Sequence, residues 1–275
     1  MKALELYIHI PFCVRKCKYC DFLSGPATRA EQEIYVESLC REICSYTDLA
    51  KAYRVVSIFL GGGTPSTLEA EQTESIFAAI NRTFTIAEDA EITTELNPGT
   101  VDEKKLRAYQ KCGINRLSIG LQSADDRELR MLGRIHTYEE FLHTYRLAKE
   151  VGFTNINIDL MSAIPGQNLS DWERTLRTVA ELSPEHISAY SLIIEEGTPF
   201  YERYGNQEEE LERGRRIPIE ERLPDEDTER RMYWRTEEIL NEYGYGIGQS
   251  IWGLVREQRH LLITVALLMN QTVCI

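Results

Sequence analysis

The sequence has no hydrophobic run long enough to cross a bilayer and no excess of positive charge. Its longest apolar tract, Leu261–Met269, is about half as long as a membrane-spanning helix requires. The formal net charge of −13 disfavours a nucleic-acid backbone or an anionic membrane as the main partner. The stretch MKALELYIHI also lacks the apolar core and the cleavage site of a secretory signal. We therefore expect a soluble cytoplasmic protein with no membrane span and no nucleic-acid partner.

Disulfides are not expected either. The chain has seven cysteines, and without an export signal they indicate a reducing compartment, where thiols and metal ligands prevail. Three of them, Cys13, Cys17 and Cys20, form a C-x3-C-x2-C pattern directly after an alternating apolar run. No second C-x2-C pair completes a four-ligand zinc site. Three thiolates can instead hold three irons of a [4Fe–4S] cluster, which leaves the fourth iron open to a small molecule.

Short apolar stretches alternate with longer segments of helical periodicity. The predicted strands are Leu4–Ile10, Val55–Leu60, Glu91–Leu96, Arg116–Leu121, Asn155–Met161 and His186–Ile193. The predicted helices are Arg29–Tyr46, Leu68–Arg82, Asp102–Lys111, Tyr138–Val151 and Ser170–Leu182, with Asp102 and Ser170 as start signals. This α/β alternation predicts a parallel sheet, either doubly wound or a partial barrel, with ligands at the C-terminal ends of its strands.

The pattern changes after the sixth predicted strand. We expect residues 1–200 to form the α/β domain and residues 201–246, dense in both charge signs, to form a charged helical extension. A helix is predicted there from Asp225 to about Tyr243. The residues expected on its buried side are Met232, Tyr233, Ile239 and Leu240.

The cysteine pattern, with the aromatic Tyr19 before its last cysteine, resembles the radical S-adenosylmethionine (SAM) family. The flanking YIHIPFC and DF are similar to one branch, the oxygen-independent coproporphyrinogen III oxidases and their HemW heme-chaperone relatives. The resemblance extends from about Tyr7 to Tyr245. It implies a partial (β/α)6 TIM-type barrel with a C-terminal helical extension, a [4Fe–4S] cluster on Cys13, Cys17 and Cys20, and SAM as a second cofactor.

Further site residues follow from strand ends that match motifs of this family. The segment FLGGGTPS resembles its GGGTP loop, which binds the amino group of SAM. Alone, Glu95 could be a core-edge carboxylate and Arg134 a solvated residue at a helix end. An unpaired Asp159 inside an apolar strand would be costly and indicates a ligand or partner. The SAM contacts implied by the resemblance are Tyr7, Tyr19, Gly62, Gly63, Thr64, Glu95, Gln122, Arg134 and Asp159.

Two features separate the branches of this family. The oxidases have a further cysteine where this chain has Phe22, and an N-terminal extension that this chain lacks. Both favour a heme chaperone, which implies heme as a ligand, a heme-accepting protein and an electron donor as partners. The alternatives are an oxidase, whose substrate is a porphyrinogen, and a radical SAM enzyme with another substrate. The acidic composition disfavours RNA as that substrate.

The tail departs from the family pattern. Where the family continues with an HNxxYW-type motif and a further domain, residues 247–275 have neither. We expect an atypical tail that arises from a shifted reading frame or a truncated gene. The histidine of the missing motif is a natural heme ligand, so its loss would affect heme binding.

Overall fold

The computed structural model describes residues 1–246 and the backbone of 261–265. Six strands alternate with helices and lie parallel in one sheet: β1 (Lys2–Ile10), β2 (Tyr53–Gly62), β3 (Ile86–Leu96), β4 (Arg116–Gln122), β5 (Ile156–Ser162) and β6 (His186–Ser191). A short strand, β7 (Leu261–Val265), pairs with β1, so the sheet order is β6-β5-β4-β3-β2-β1-β7. The remainder of the predicted atypical tail lies outside the described residues.

The helices follow the strands in the order that the sequence predicts. They are α1 (Arg29–Ser45), α2 (Thr47–Ala50), α3 (Ala70–Thr83), α4 (Glu103–Lys111), α5 (Asp126–Leu132), α6 (Tyr138–Val151), α7 (Leu169–Ala180), α8 (Pro199–Tyr204), α9 (Gln207–Glu212) and α10 (Glu226–Glu242). The six strands and their helices form a half-barrel. This confirms the α/β prediction and decides between the two architectures that periodicity left open. No helix in residues 1–246 is long and apolar enough to span a membrane.

Local sequence explains where these elements begin and end. In β1 the alternation buries Leu4, Leu6 and Ile8 in the core and leaves the intervening residues on the other face. Asp102 caps α4 as predicted, because its side chain accepts from the N–H of Lys105. Ser170 is not a cap. A capping box formed by Asn168 and Asp171 starts α7 instead.

The other differences concern short or polar segments. The predicted sixth strand continues to Ile193, whereas β6 ends at Ser191. The helices α2, α5, α8 and α9 have seven residues or fewer, too few to give a readable period, and no prediction covered them.

Helix α10 covers the barrel helix α7. Trp172 on α7 is buried and donates from Nε1 to Thr236 Oγ1 at 2.9 Å and to the carbonyl of Met232 at 3.3 Å. Met232 and Ile239 are buried, as predicted, and Leu240 packs partly against the core. Tyr233, also predicted on the buried side, is 66% exposed. It adjoins Met232 in sequence, and one helical step of about 100° turns it away from α7.

Met232→Ala should lower the free energy of unfolding by about 2–5 kcal/mol, because it leaves a cavity between α7 and α10. The neighbouring Tyr233→Ala is the matched control and should change it by less than about 0.5 kcal/mol. Urea unfolding followed by circular dichroism measures both. Equal losses for the two variants would contradict the packing of α10 on α7.

Candidate functional site

A cavity of about 300 Å³ lies at the C-terminal ends of the strands. Parallel strands bring their carboxyl ends to one edge, so residues far apart in sequence meet there. Every predicted site residue except Tyr7 lines this cavity: Cys13, Cys17, Tyr19, Cys20, Gly62, Gly63, Thr64, Glu95, Gln122, Arg134 and Asp159. The structure therefore brings together residues that were predicted from separate motifs.

The loop with the three cysteines is held by backbone hydrogen bonds from three directions. Cys13 N donates to the carbonyl of Gly25 at 2.9 Å, which closes the loop on itself. Lys18 N donates to the carbonyl of Leu132 at the end of α5, and the Lys18 carbonyl accepts from Phe200 N at the start of α8, both at 3.0 Å. Two helices that the sequence did not predict therefore position the cysteine loop.

The three thiols fit an iron–sulfur cluster better than a single metal ion. In residues 1–246, no group of three or more His, Cys, Asp or Glu side chains is arranged around one ion position. A [4Fe–4S] cluster does not need such convergence, because each thiolate binds a different iron. Burial raises the pKa of the Cys20 thiol, and the nearby Cys17 and Cys13 contribute to the increase. Bound iron would offset this cost, since the metal stabilises the thiolates.

The glycine loop after β2 packs directly on the start of the cysteine loop. Gly63 N donates to the Ile10 carbonyl at 2.8 Å, and Thr64 N donates to the Phe12 carbonyl at 2.6 Å. A Cβ on Gly63 would lie 2.6 Å from the Phe12 carbonyl oxygen. Gly62 has a φ of +111°, and a Cβ there would lie 2.4 Å from the ring of His9. Gly63 leaves no room for a side chain against the backbone of the cysteine loop, and Gly62 adopts a positive φ that side-chain-bearing residues rarely adopt.

Arg134 projects from the end of α5 into the floor of the cavity. Its Nη2 donates to Asn97 Oδ1 at 2.5 Å and to the Gly120 carbonyl at 2.6 Å, while Nη1 lies 3.6 Å from Cys17 Sγ. Burial alone would lower the pKa of Arg134, but Tyr19 and Cys17 outweigh it and raise that pKa. No carboxylate within residues 1–246 forms an ion pair with this guanidinium. A solvated arginine is thus excluded, and the cavity contains a cation that can receive an anionic ligand.

Two carboxylates line the same cavity. Glu95 Oε2 accepts from the Gly62 N–H at 3.1 Å. Burial raises the pKa of Glu95 to about 7, and the neighbouring Asp159 contributes. Asp159 is not unpaired, since it accepts from Ser118 Oγ at 3.1 Å and from Asn157 Nδ2 at 2.7 Å. Its pKa is raised mainly by burial, against the effect of these hydrogen bonds.

Tyr7 lies beside the cavity and not on its wall. Its hydroxyl lies 3.1 Å from His9 Nδ1, and its ring stacks on Phe59 with centroids 6.2 Å apart. Burial, with a contribution from Glu95, raises the pKa of Tyr7 to about 12. Tyr7 therefore contacts His9 and Phe59 on the face of β1 opposite the core residues.

Gln122 adopts a left-handed backbone conformation at the end of β4, with a φ of +76°. Few residues other than glycine adopt this conformation, because it strains the backbone. Such strained residues are typical of functional sites. The buried Gln122 side chain accepts from the Tyr190 hydroxyl through Oε1 at 2.8 Å. This hydrogen bond therefore connects the C-terminal ends of β4 and β6 at the cavity.

The polar lining residues that sequence reasoning missed include Asn97, Ser118 and Tyr190. Asn97 follows the predicted Glu95 in TELNPG and could have been found as the next strand-end polar residue. Ser118 and Tyr190 lie within strands, where only the direction in which the half-barrel curves decides which face is inside.

Residues 7–179 match the family model of the radical SAM superfamily, more than half of the chain. The chain belongs to this superfamily, whose members use a [4Fe–4S] cluster and SAM. It is 38% identical over 247 residues to the heme chaperone HemW of Escherichia coli, and 38% identical over 196 residues to that of Bacillus subtilis. These alignments cover 89% and 71% of this chain, but 61% and 52% of the two relatives.

Among solved structures, the chain is similar to coproporphyrinogen III oxidase (HemN) of E. coli, described as a radical SAM enzyme. The TM-score is 0.77 at 27% identity, over 92% of this chain and 58% of the oxidase chain. The chain thus spans about three fifths of the length of the proteins that it resembles. An archaeal Elp3 structure, at 16% identity and a TM-score of 0.55, shares the fold alone.

Glu95→Gln should become more stabilising as the pH rises. The folded pKa of Glu95, about 7, exceeds its ordinary value of 4.5, so ionisation disfavours the folded state above that value. The advantage of Glu95→Gln over wild type should grow by about 2 kcal/mol between about pH 5 and pH 8. Glu91→Gln, on the exposed side of β3, should show no such growth. Denaturant unfolding at several pH values measures the difference, and a constant difference for Glu95→Gln would contradict it.

Proposed function

We infer that this chain binds a [4Fe–4S] cluster through Cys13, Cys17 and Cys20, binds SAM in the adjoining cavity, and acts as a heme chaperone. The observation that carries the chaperone assignment is the 38% identity to the E. coli HemW over 89% of this chain. Heme, a heme-accepting protein and an electron donor are the partners that this assignment implies.

The cavity offers complementary groups for SAM, which has a carboxylate, an amino group and an adenosyl moiety. Arg134 supplies a cation that forms no ion pair with a carboxylate of residues 1–246, which suits the carboxylate of SAM. The loop of Gly62, Gly63 and Thr64 brings backbone groups close to the amino group. When bound, the cluster supplies the electron that cleaves SAM reductively. The role of the protein is to orient SAM and to exclude water and oxygen.

The mouth of the cavity suits a flat apolar ligand with anionic edges, such as heme. Phe22 and Ile193 are 62% and 67% exposed at this mouth. Arg15 and Lys16 also line it, and neither forms an ion pair with a carboxylate of the described chain. Lys16 instead donates to the Phe22 carbonyl at 3.0 Å. Asp21 and Glu195 lie on the same rim. They would repel the anionic propionate groups of heme and the cations would attract them, so the charges would orient the heme.

A second candidate is coproporphyrinogen oxidation, favoured by the TM-score of 0.77 to the E. coli oxidase. An anaerobic heme titration of the cluster-reconstituted chain, followed by its Soret band with coproporphyrinogen as competitor, separates the two. Saturable heme binding that coproporphyrinogen does not displace supports the chaperone. Displacement, together with SAM-dependent loss of coproporphyrinogen, supports the oxidase. No heme binding by a chain that holds its cluster contradicts a chaperone function for this chain.

Arg134→Met should weaken SAM binding about 10- to 100-fold, since hydrogen bonds to a charged group are worth ~1.5–3 kcal/mol. Isothermal titration of SAM into the reconstituted protein measures the loss. The matched control is Arg130→Met on the exposed face of the preceding helix α5, which should bind SAM as wild type does. Unchanged affinity in Arg134→Met, at equal iron content, would exclude Arg134 as a SAM ligand.

Ile193→Asn should weaken heme binding about 10-fold, because it removes apolar surface from the cavity mouth. Ile219→Asn is its control: Ile219 is 78% exposed in a turn outside the cavity and should leave heme affinity unchanged. The Soret titration described above gives both affinities. Equal effects of the two substitutions would place the heme elsewhere.

A further inference from the structure

Asn97 connects two side chains that approach different cysteine sulfurs. Its Oδ1 accepts from Arg134 Nη2 at 2.5 Å, and its Nδ2 donates to Thr64 Oγ1 at 2.8 Å. Thr64 Oγ1 lies 3.6 Å from Cys13 Sγ, and Arg134 Nη1 lies 3.6 Å from Cys17 Sγ. One continuous hydrogen-bonded chain therefore extends from Cys13 to Cys17 through three side chains.

Elementary donor chemistry determines the direction of every hydrogen bond in this chain. A guanidinium has donors only, so the amide oxygen of Asn97 must face Arg134. The amide nitrogen must then face Thr64 and donate to it. The Thr64 hydroxyl accepts that bond, so its single proton is available for Cys13. The arginine thus directs the threonine proton to a sulfur, although the two side chains are linked only through Asn97.

The backbone of Asn97 is held equally firmly. Its N–H donates to Ser66 Oγ at 3.3 Å, and its carbonyl accepts from Thr100 Oγ1 at 2.6 Å. The hydroxyls of Ser66 and Thr100 lie 2.5 Å apart. These bonds fix the backbone from which the Asn97 side chain extends, and the bonds to Arg134 and Thr64 orient the amide itself.

Hydrogen bonds to the cysteine sulfurs of an iron–sulfur cluster weaken electron donation to iron and raise its reduction potential. We propose that Asn97 is a positioning residue that orients the Thr64 hydroxyl toward Cys13 and the Arg134 guanidinium toward Cys17, and thereby raises the reduction potential of the cluster. This role rests on the proposed cluster site. In this role Asn97 changes how readily the cluster takes up an electron, and it does not itself contact a ligand.

The test uses Asn97→Asp, which keeps an acceptor for Arg134 but cannot donate to Thr64. The Thr64 hydroxyl then turns its proton to the new carboxylate, and Cys13 loses its donor. The added negative charge of Asn97→Asp also affects the reduction potential. The test is therefore a double-mutant cycle with Thr64→Val, because valine has the shape of threonine without its hydroxyl. In the wild-type background Thr64→Val should lower the midpoint potential. In the Asn97→Asp background it should leave the potential unchanged.

Anaerobic redox titration of the reconstituted full chain, followed by electron paramagnetic resonance, measures the four potentials. Asn168→Asp is the matched control: Asn168 caps α7, outside the cavity, and the same chemical change there should not shift the potential. Equal Thr64→Val shifts in the two backgrounds would overturn the proposal. An Asn97→Asp chain unable to hold a cluster would overturn it too, because the proposed role leaves the iron ligands intact.

A second measurement depends on single variants alone. Electron–nuclear double resonance of the reduced cluster should detect an exchangeable proton near Cys13 in wild type. This signal should be lost in Asn97→Asp and in Thr64→Val, and retained in Thr64→Ser. Its persistence in Asn97→Asp would contradict the proposal. A wild-type chain that forms no cluster is a different result, since it would refute the cluster site itself.

Discussion

Arg134 lies among backbone and sulfur acceptors at the ends of the parallel strands, with no carboxylate of residues 1–246 in ion-pair contact. A cation withdrawn from water is costly unless hydrogen bonds or an opposite charge compensate for it. Here the compensation comes from the Gly120 carbonyl on β4, from Asn97 after β3 and from Cys17. One side chain therefore ties two strands to the cysteine loop and still has capacity for an anionic ligand.

The cysteine loop depends on the same region of the chain. Arg134 follows directly after the end of α5, where the carbonyls of Leu132 and Gly133 accept from Lys18 N and from the side chain of Arg15. Gly133 is in the left-handed conformation and ends the helix, with a φ of +79°. A Cβ there would lie 3.0 Å from Lys18 Cγ. The geometry of the cluster site is thus set by a helix end as much as by the cysteines themselves.

At the rim of the cavity, the exposed apolar side chains of Phe22 and Ile193 lie among charges of both signs, from Arg15, Lys16, Asp21 and Glu195. The apolar patch around Phe22 and Ile193 suits a ligand larger than SAM, while the polar floor suits SAM. Under the proposed function, SAM and heme would therefore share one cavity.

The sequence by itself was sufficient for the six strands of the half-barrel and the six longer helices, because hydrophobic periodicity is a local property. It also pointed to the cysteine loop, the glycine loop and some of the strand-end polar residues, since each lies within a short motif, but it missed Asn97. Hydrophobic periodicity could not choose between an open sheet and a half-barrel, and it wrongly placed Tyr233 on the buried side of its helix. Only the tertiary structure decided that Asn97 joins Arg134 to Thr64, because residues 64, 97 and 134 meet only when parallel strands end at one edge.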